Sequence, residues 1–194
     1  RKELVQFAKE YNIAHDVCGK VVVATDQSEL PNMDKIFNTG LENGIEGIEK
    51  ITADQVRDIE PHVKSIGGIW VPVTGIIDFR GATEKMAELA LAANPQSAMH
   101  LGCEVQGIDK GTDASTIFTS KGTFEASYLV FCAGLQADRL ARKDGVALKE
   151  QVVGFRGDYY ELTPEAKHKV KNLIYPVPNP DFPFLGVHFT RMTN

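Results

Sequence analysis

The chain has 194 residues, of which 43% are hydrophobic and 24% are charged, and its formal net charge is −5. This length suits one large domain or parts of two, and the composition is that of an ordinary globular protein. A net negative charge with no run of Lys or Arg argues against nucleic acid as a partner. The longest apolar run, residues 128–135, is too short to cross a bilayer, so we expect no integral membrane segment.

Helical periodicity, β-branched runs and capping residues predict alternating helices and short strands in the first part of the chain. A period near 3.6 residues indicates a helix, whereas short apolar runs between turn residues indicate strands. The predicted elements, in chain order, are a helix over residues 1–11, a strand over 17–25, a helix from Asp26 or Ser28 to about Gly40, a helix over 52–60, and strands over 67–72 and 75–78.

After Arg80 a longer helix is predicted, followed by a series of strands. The run Tyr128–Cys132 is continuously apolar and is followed by Ala133-Gly134, which is typical of a strand buried on both faces. The predicted elements here are a helix over 82–93, strands over about 98–109, 115–120, 123–126 and 128–132, a helix over 137–143, and long strands over 152–162, 173–177 and 185–192.

This order predicts a mixed fold of the α+β and α/β classes. Residues 79–148 have α/β character, and they are inserted between two segments that together form an α+β unit. We find no internal repeat and no low-complexity tract that would indicate a linker.

Several familiar catalytic motifs are absent from the sequence. It contains no His-Glu-x-x-His, no Gly-x-Ser-x-Gly, no P-loop and no Gly-x-Gly-x-x-Gly, and its five histidines are isolated. We therefore expect no metal site. Three scattered cysteines, Cys18, Cys103 and Cys132, are interpreted as reduced thiols in the core of an intracellular protein.

The segment 126–134 is the first candidate for a ligand contact. A buried strand that ends in Cys132-Ala133-Gly134 lets the backbone approach a ligand at the carboxyl edge of a sheet. Tight packing of strand against helix, without any ligand, explains the same small residues. Both interpretations remain open at this point.

Arg156 is the second candidate, because it lies between aromatic residues in a predicted strand. Its guanidinium can clamp a carboxylate in bidentate fashion, or it can pair with Asp158, two residues further on and on the same face. The sequence favours neither interpretation over the other.

The stretch Tyr175–Arg191 is the most distinctive part of the chain. Four prolines among its first nine residues exclude a helix, and the strand pattern that follows carries His188, Thr190 and Arg191. Alternation places His188 and Thr190 on one face and Arg191 on the other. His188 is either a hydrogen-bonded core histidine or a functional group of an anion site.

Taken together, five motifs resemble the L-2-hydroxyglutarate oxidase/dehydrogenase family, which are flavoproteins of the D-amino-acid-oxidase-like superfamily. The resemblance covers nearly the whole chain, and its last motif is the most specific. The motifs are Gly19–Thr25, Gly67–Arg80, Cys132–Arg139, Phe155–Tyr160 and Leu173–Met192.

The resemblance implies FAD as cofactor, a dicarboxylate 2-hydroxy acid as substrate, and hydride transfer to the flavin after a base has taken the hydroxyl proton. It implies a discontinuous substrate domain of mainly antiparallel sheet (12–78 and 149–194) and part of a Rossmann-like FAD domain (1–11 and 79–148). The residues it assigns are His188 as base, Arg156, Tyr175, Thr190 and Arg191 on the substrate side, and Val105, Cys132, Ala133 and Gly134 at the cofactor.

Superfamily members bind the FAD pyrophosphate through a Gly-x-Gly-x-x-Gly loop, which this sequence lacks. We therefore expect an internal part of a longer enzyme that by itself binds FAD poorly. Two alternatives stay open: a related flavoprotein acting on an amino acid, an amine or glycerol 3-phosphate, and a non-catalytic binding or assembly module. The expected compartment is the cytoplasm, with peripheral membrane association or the mitochondrial matrix as variants, and the expected electron acceptor is oxygen or a quinone.

Overall fold

A computed structural model describes residues 1–181 and 186–193. Within these residues the helices are Lys2–Glu10 (α1), Leu30–Glu42 (α2), Ala53–Ile59 (α3), Phe79–Ala93 (α4) and Ala137–Lys143 (α5). The strands are His15–Asp16 (β1), Lys20–Ala24 (β2), Glu49–Thr52 (β3), Gly67–Val71 (β4), Ile76–Ile77 (β5), Val105–Lys110 (β6), Ser115–Thr119 (β7), Gly122–Ala126 (β8) and Leu173–Pro176 (β9). Short 3₁₀ turns occupy Gln27–Glu29, Gly134–Gln136 and Pro164–Lys169.

The chain divides into two compact units. The first, here called the sheet unit, comprises residues 1–94 and 161–194, and the second, the meander unit, comprises 95–160. These bounds differ from the predicted insertion at 79–148, because α4 belongs to the sheet unit. Its Ala82 is buried in a cluster with Ala8 of α1 and Ile13.

The sheet unit is built on a four-stranded sheet in the order β3-β4-β2-β9. Antiparallel pairs join β3 to β4 and β4 to β2, and β9 is parallel to β2. Four successive residues of the central strand β2, Val21 to Ala24, are buried, as expected of a strand covered on both faces. The mixed α/β fold with mainly antiparallel sheet is confirmed.

Each face of this sheet packs against one helix. Val22 and Ala24 form a core cluster with Met33 of α2, whereas Val21 and Val23 form another with Val56 of α3. The alternation of side chains along β2 therefore separates an α2 face from an α3 face.

Capping residues in the sequence mark where several helices begin, and local hydrogen bonds in the structure explain these starts. Thr52 forms a capping box with Gln55 at α3, and Asp26 forms one with Glu29 at the 3₁₀ turn that leads into α2. The Asp78 carboxylate accepts a hydrogen bond from the Gly81 backbone N–H, so α4 begins at Phe79, three residues before the predicted start. The predicted helices over 1–11, 52–60 and 137–143 are confirmed to within two residues.

Gly19 must be a glycine to admit the single tryptophan. Its φ is +84°, and a Cβ added there would lie 2.1 Å from a carbon of the Trp70 indole. The indole instead packs over the bare backbone, just before β2 begins. Trp70 in turn packs against the core cluster on the α3 face.

The buried carboxylate of Glu60 fixes the loop before β9. This side chain is fully buried at the end of α3, where an acidic group is disfavoured by the helix dipole. Its oxygens accept hydrogen bonds from the backbone N–H groups of Asn172 at 2.6 Å and Lys171 at 3.2 Å. The Asn172 amide also donates to the Cys18 carbonyl, so the loop is attached to the approach to β2 as well.

In the meander unit β6, β7 and β8 form a three-stranded antiparallel sheet. The expected buried strand over Tyr128–Cys132 is wrong: this segment is not a strand, and Tyr128 and Val130 are 91% and 87% exposed. A buried strand needs paired neighbours, and among the described residues no strand pairs with this segment.

Two other expectations also need correction. Residues 152–162 form no strand, and the region from 186 contributes one antiparallel bridge, between Ile174 and Phe189. Residues 182–185, which carry the start of the predicted strand over 185–192, lie outside the described residues. The cysteines are unpaired, but Cys18 and Cys103 are half-buried and Cys132 is exposed, so none lies in the core.

No helix in the described part of the chain is long and apolar enough to cross a membrane.

We predict that Glu60→Gln destabilises the sheet unit, because the amide nitrogen of glutamine cannot accept the bonds that a carboxylate oxygen accepts. Loss of charge-assisted hydrogen bonds in a buried position is expected to lower the free energy of unfolding by about 1–3 kcal/mol. Urea unfolding followed by Trp70 fluorescence measures this, since Trp70 is the only tryptophan of the chain.

Glu42→Gln, at an exposed position of α2, is the matched control and should change stability by less than about 0.5 kcal/mol. Equal unfolding midpoints for the two variants would show that Glu60 does not hold the loop.

Candidate active site

Three side chains of the sheet unit form a row on the α2 face: Lys20, Tyr175 and His188. Val22 and Tyr175 are register partners in the parallel pair β2–β9, so their side chains share this face, and Lys20 shares it because it lies two residues from Val22. The Lys20 ammonium lies 5.2 Å from the centroid of the Tyr175 ring. The His188 ring stacks on the same tyrosine, with centroids 4.6 Å apart and planes inclined by 28°.

Backbone pairing explains why His188 reaches Tyr175. Phe189 and Ile174 exchange two backbone hydrogen bonds of 2.9 and 3.1 Å, so the segment around 189 lies beside β9 on the edge away from β2. Partners in such a bridge point to the same face, which places Phe189 with Ile174 on the α3 face. The neighbouring residue, His188, therefore points to the α2 face, as the predicted alternation requires.

The hydrogen bond of His188 determines which ring nitrogen can act as a base. Nδ1 lies 3.1 Å from the Gly186 carbonyl oxygen, which can only accept. Nδ1 therefore carries the proton, and the lone pair of the neutral ring is on Nε2. The stacked tyrosine and this bond together hold the ring plane, so Nε2 has a defined direction.

Arg191 is engaged within the protein. Its Nη1 donates to the Asp16 carboxylate at 2.9 Å and to the Lys171 carbonyl at 3.0 Å. The ion pair is half-exposed, and it ties the end of the chain to β1 and to the loop that Glu60 holds. Thr190 is exposed, and its role as a substrate contact stays a prediction.

The Asp16–Arg191 pair lies beside Cys18. Burial raises the pKa of the Cys18 thiol, and the negative charge of Asp16 raises it further, whereas Arg191 lowers it. The dominant effect is burial, so this thiol is less reactive than an exposed cysteine at neutral pH.

Arg156 belongs to the meander unit and takes the second of its two predicted arrangements. Its Nε and Nη2 donate to the same Asp158 oxygen, at 2.8 and 2.7 Å, in an exposed ion pair. An exposed pair of this kind is worth little energy, so a substrate carboxylate can compete with Asp158 at small cost. The clamp role of Arg156 stays a prediction.

The residues predicted to contact the cofactor also lie in the meander unit. Val105 begins β6, and its carbonyl accepts a hydrogen bond from the Lys143 ammonium at 2.8 Å. Ala133 leads into the 3₁₀ turn that starts at Gly134, whose φ of +52° requires a glycine-like backbone. A Cβ placed on Gly134 would meet no atom within 4 Å, so its backbone is open to a ligand. The contact of Val105, Cys132, Ala133 and Gly134 with the cofactor stays a prediction.

Sequence reasoning missed Lys20 and Glu60. Lys20 precedes the buried run Val21–Ala24, and a lysine at a strand end is usually a solvated terminus. A signal for Glu60 was present, because an acidic residue just before Pro61 sits at the wrong end of a helix for the dipole. The residues that contact Lys20 and Glu60 lie far from them in the sequence, so no local pattern revealed these contacts.

Comparison with known proteins places the chain in a family. The family model described as FAD dependent oxidoreductase matches residues 1–194. The chain belongs to the FAD-dependent oxidoreductase family.

Relatives within this family are similar along almost the entire chain. It is 44% identical over 191 residues to the L-2-hydroxyglutarate dehydrogenase of Indibacter alkaliphilus, covering 98% of this chain and 47% of that protein. It is 39% identical to the protein of the same name from Escherichia coli K12, covering 96% and 44%. The human mitochondrial L-2-hydroxyglutarate dehydrogenase is 34% identical, covering 96% and 42%. The chain thus spans less than half the length of these relatives.

Solved structures agree on the fold. Glycine oxidase from Geobacillus kaustophilus superposes with a TM-score of 0.66 at 21% identity, covering 76% of this chain and 41% of that one. L-proline dehydrogenase from P. horikoshii superposes with a TM-score of 0.69 at 15% identity, covering 90% and 47%. At these identities the similarity establishes the shared fold and nothing about substrate.

We predict that Asp16→Asn accelerates alkylation of Cys18. Removing the Asp16 charge while Arg191 stays lowers the pKa of the thiol, so more thiolate is present at a given pH. Arg191→Gln should slow the alkylation of Cys18, because it removes the positive charge that lowers the pKa of the thiol. Peptide mass spectrometry after timed iodoacetamide treatment at pH 8 measures both rates.

Cys132, which is exposed and in the other unit, is the internal reference in each sample. If both variants changed the Cys18 rate in the same direction, loosening of the local structure rather than electrostatics would explain the result, and the placement of Arg191 beside Cys18 would be wrong.

Proposed function

We propose that the protein containing this chain is an FAD-dependent dehydrogenase that oxidises L-2-hydroxyglutarate to 2-oxoglutarate. The observation that supports this most strongly is the 44% identity over 98% of the chain to a protein bearing that activity as its name. The row of Lys20, Tyr175 and His188 adds an accessible proton acceptor next to a cation and a phenol on one face of the sheet.

His188 is the proposed base for the 2-hydroxyl group. Oxidation of a secondary alcohol requires removal of the hydroxyl proton together with a hydride from the same carbon. The Nε2 atom can take the proton, because Nδ1 already donates to Gly186. Tyr175 holds the imidazole by stacking and presents a hydroxyl group for hydrogen bonding to the substrate.

The remaining substrate-side residues have different capacities. Thr190 is exposed and offers a hydroxyl group. Arg191 and Arg156 would have to exchange Asp16 and Asp158, respectively, for a substrate carboxylate. The Arg156 pair is largely exposed, so its exchange costs little. The Arg191 pair is half-exposed and Arg191 also donates to the Lys171 carbonyl, so its exchange costs more.

FAD is the cofactor of the proposed enzyme, and when bound it accepts the hydride. Val105, Cys132, Ala133 and Gly134 are proposed to lie along it, with the open Gly134 backbone as the closest approach. The sequence lacks the Gly-x-Gly-x-x-Gly loop, so residues outside these 194 would hold the pyrophosphate. In this proposal residues 12–78 and 149–194 serve the substrate and residues 1–11 and 79–148 serve FAD.

We further propose oxygen or a quinone as electron acceptor, and the bacterial cytoplasm or the mitochondrial matrix as compartment. Relatives named as mitochondrial and relatives from bacteria both support this choice of compartment. Peripheral contact with a membrane is compatible with a quinone as acceptor.

The test is a substrate panel on the complete protein purified with its flavin. We expect flavin reduction by L-2-hydroxyglutarate to exceed that by glycine, sarcosine or glycerol 3-phosphate, because these lack the second carboxylate or the 2-hydroxy acid group. Anaerobic stopped-flow reduction of the flavin absorbance measures this without choosing an acceptor. Faster flavin reduction by any of the three competitors would show that L-2-hydroxyglutarate is not the preferred substrate.

His188→Ala in the same protein should lower the rate of flavin reduction by about 10²- to 10⁴-fold, the usual contribution of a general base. His168→Ala is the matched control, because His168 is exposed and lies outside the row of Lys20, Tyr175 and His188, with its ring edge-on to the His62 ring. A loss of less than about tenfold at His188 would contradict its role as base.

A further inference from the structure

Lys20 carries a half-buried charge that no carboxylate of the described residues neutralises. Burial lowers the pKa of its ammonium group below the ordinary value for lysine. Among the described residues no carboxylate lies within ion-pair distance of Lys20, whereas Arg156 and Arg191 each have one. The face of the Tyr175 ring provides a weak attraction, 5.2 Å from the ammonium, which offsets only part of the lost hydration.

A cation in such a position is suited to an anionic ligand. A carboxylate that approaches it gains a charge-assisted hydrogen bond and relieves the unfavourable burial of the ammonium. Because Lys20 has no ion-pair partner among the described residues, it can bind a carboxylate at lower cost than either arginine, which must first give up its own carboxylate. Its neighbours in the row, Tyr175 and His188, are the residues to which the proposed function already assigns the substrate.

The spacing of the row matches the length of the proposed substrate. Lys20 lies on β2 and His188 beside Phe189, and β9 runs between them. The Lys20 ammonium lies 5.2 Å and the His188 ring centroid 4.6 Å from the centroid of the Tyr175 ring, so the ammonium and the imidazole are at most about 10 Å apart. In extended L-2-hydroxyglutarate the C2 hydroxyl and the C5 carboxylate are roughly 5 Å apart, and a hydrogen bond of about 2.8 Å at each end brings the span to roughly 10 Å.

We propose that Lys20 binds the C5 carboxylate of the substrate when the C2 hydroxyl is at His188, and that Lys20 thereby selects dicarboxylates over monocarboxylates. This inference rests on the proposed function for the identity of the substrate. It makes Lys20 a specificity-determining residue, distinct from the base. Tyr175, between the two, would line the aliphatic middle of the substrate.

The test compares two substrates that differ only at C5: L-2-hydroxyglutarate and L-2-hydroxypentanoate, which has a methyl group in place of the carboxylate. In the complete flavoprotein, Lys20→Met should raise KM for L-2-hydroxyglutarate by about 10- to 100-fold, as expected for loss of a charge-assisted bond. The kinetic constants for L-2-hydroxypentanoate should change by less than about threefold, so the preference for the dicarboxylate collapses. Lys20→Arg, which keeps the charge, should retain more of the preference than Lys20→Met.

Lys35→Met is the matched control, because Lys35 is an exposed residue of α2 and should leave both substrates unaffected. Equal losses with both substrates at Lys20→Met would overturn the proposal, since they would indicate that Lys20 only supports Tyr175. Unchanged constants would overturn it as well.

A binding measurement separates this proposal from the proposed function. Glutarate, a dicarboxylate without the hydroxyl group, should raise the thermal unfolding temperature of the wild-type flavoprotein and of Lys35→Met, but not that of Lys20→Met. If the wild type failed to oxidise L-2-hydroxyglutarate but showed this pattern, the proposed function would fall and the dicarboxylate site at Lys20 would stand. If the wild type oxidised L-2-hydroxyglutarate and Lys20→Met responded to glutarate as the wild type does, the proposed function would stand and the dicarboxylate site at Lys20 would fall.

Discussion

The buried carboxylate of Glu60 is the interaction on which the candidate site depends. It lies at the end of α3 and binds the backbone of Lys171 and Asn172, more than a hundred residues further along the chain. A parallel strand cannot be aligned by a tight turn, and here no hairpin sets the register of β9 against β2. Glu60 and the bond from Asn172 to Cys18 supply that alignment. A slip by one residue would turn Tyr175 to the α3 face and separate it from Lys20.

Register and charge together explain the character of the site. With β9 in place, the bridge at Phe189 directs His188 to the α2 face, and the stacking on Tyr175 and the bond to Gly186 orient its ring. Arg191 is three residues from His188, so the alternation points it to the opposite face. There it stabilises the fold by donating hydrogen bonds to the Asp16 carboxylate and the Lys171 carbonyl. The cation left for a ligand in this row is Lys20, and its burial makes it a stronger attractor for a carboxylate than a solvated lysine.

The sequence predicted those helices and strands whose formation depends on residues close together in the chain. Capping boxes at Asp26 and Thr52 and apolar periodicity locate the helices, and the β-branched run locates β2. The run Tyr128–Cys132 shows the limit: its apolar composition is that of a buried strand, yet burial requires neighbouring strands that the described residues do not provide. Glu60 and Lys20 escaped prediction because their partners are brought close only by the parallel pairing of β2 and β9. The motif around His188 could be recognised, but its orientation depends on one long-range bridge.

The most direct measurement is a crystal structure of the complete flavoprotein with 2-oxoglutarate bound. We expect a C5 carboxylate oxygen about 3 Å from the Lys20 ammonium nitrogen and Tyr175 beside the aliphatic chain. The C2 oxygen should accept a hydrogen bond from His188 Nε2, which carries the proton taken from the substrate hydroxyl. A product whose C5 carboxylate lies on Arg156 or Arg191, with Lys20 still over Tyr175 and without contact to the ligand, would contradict it.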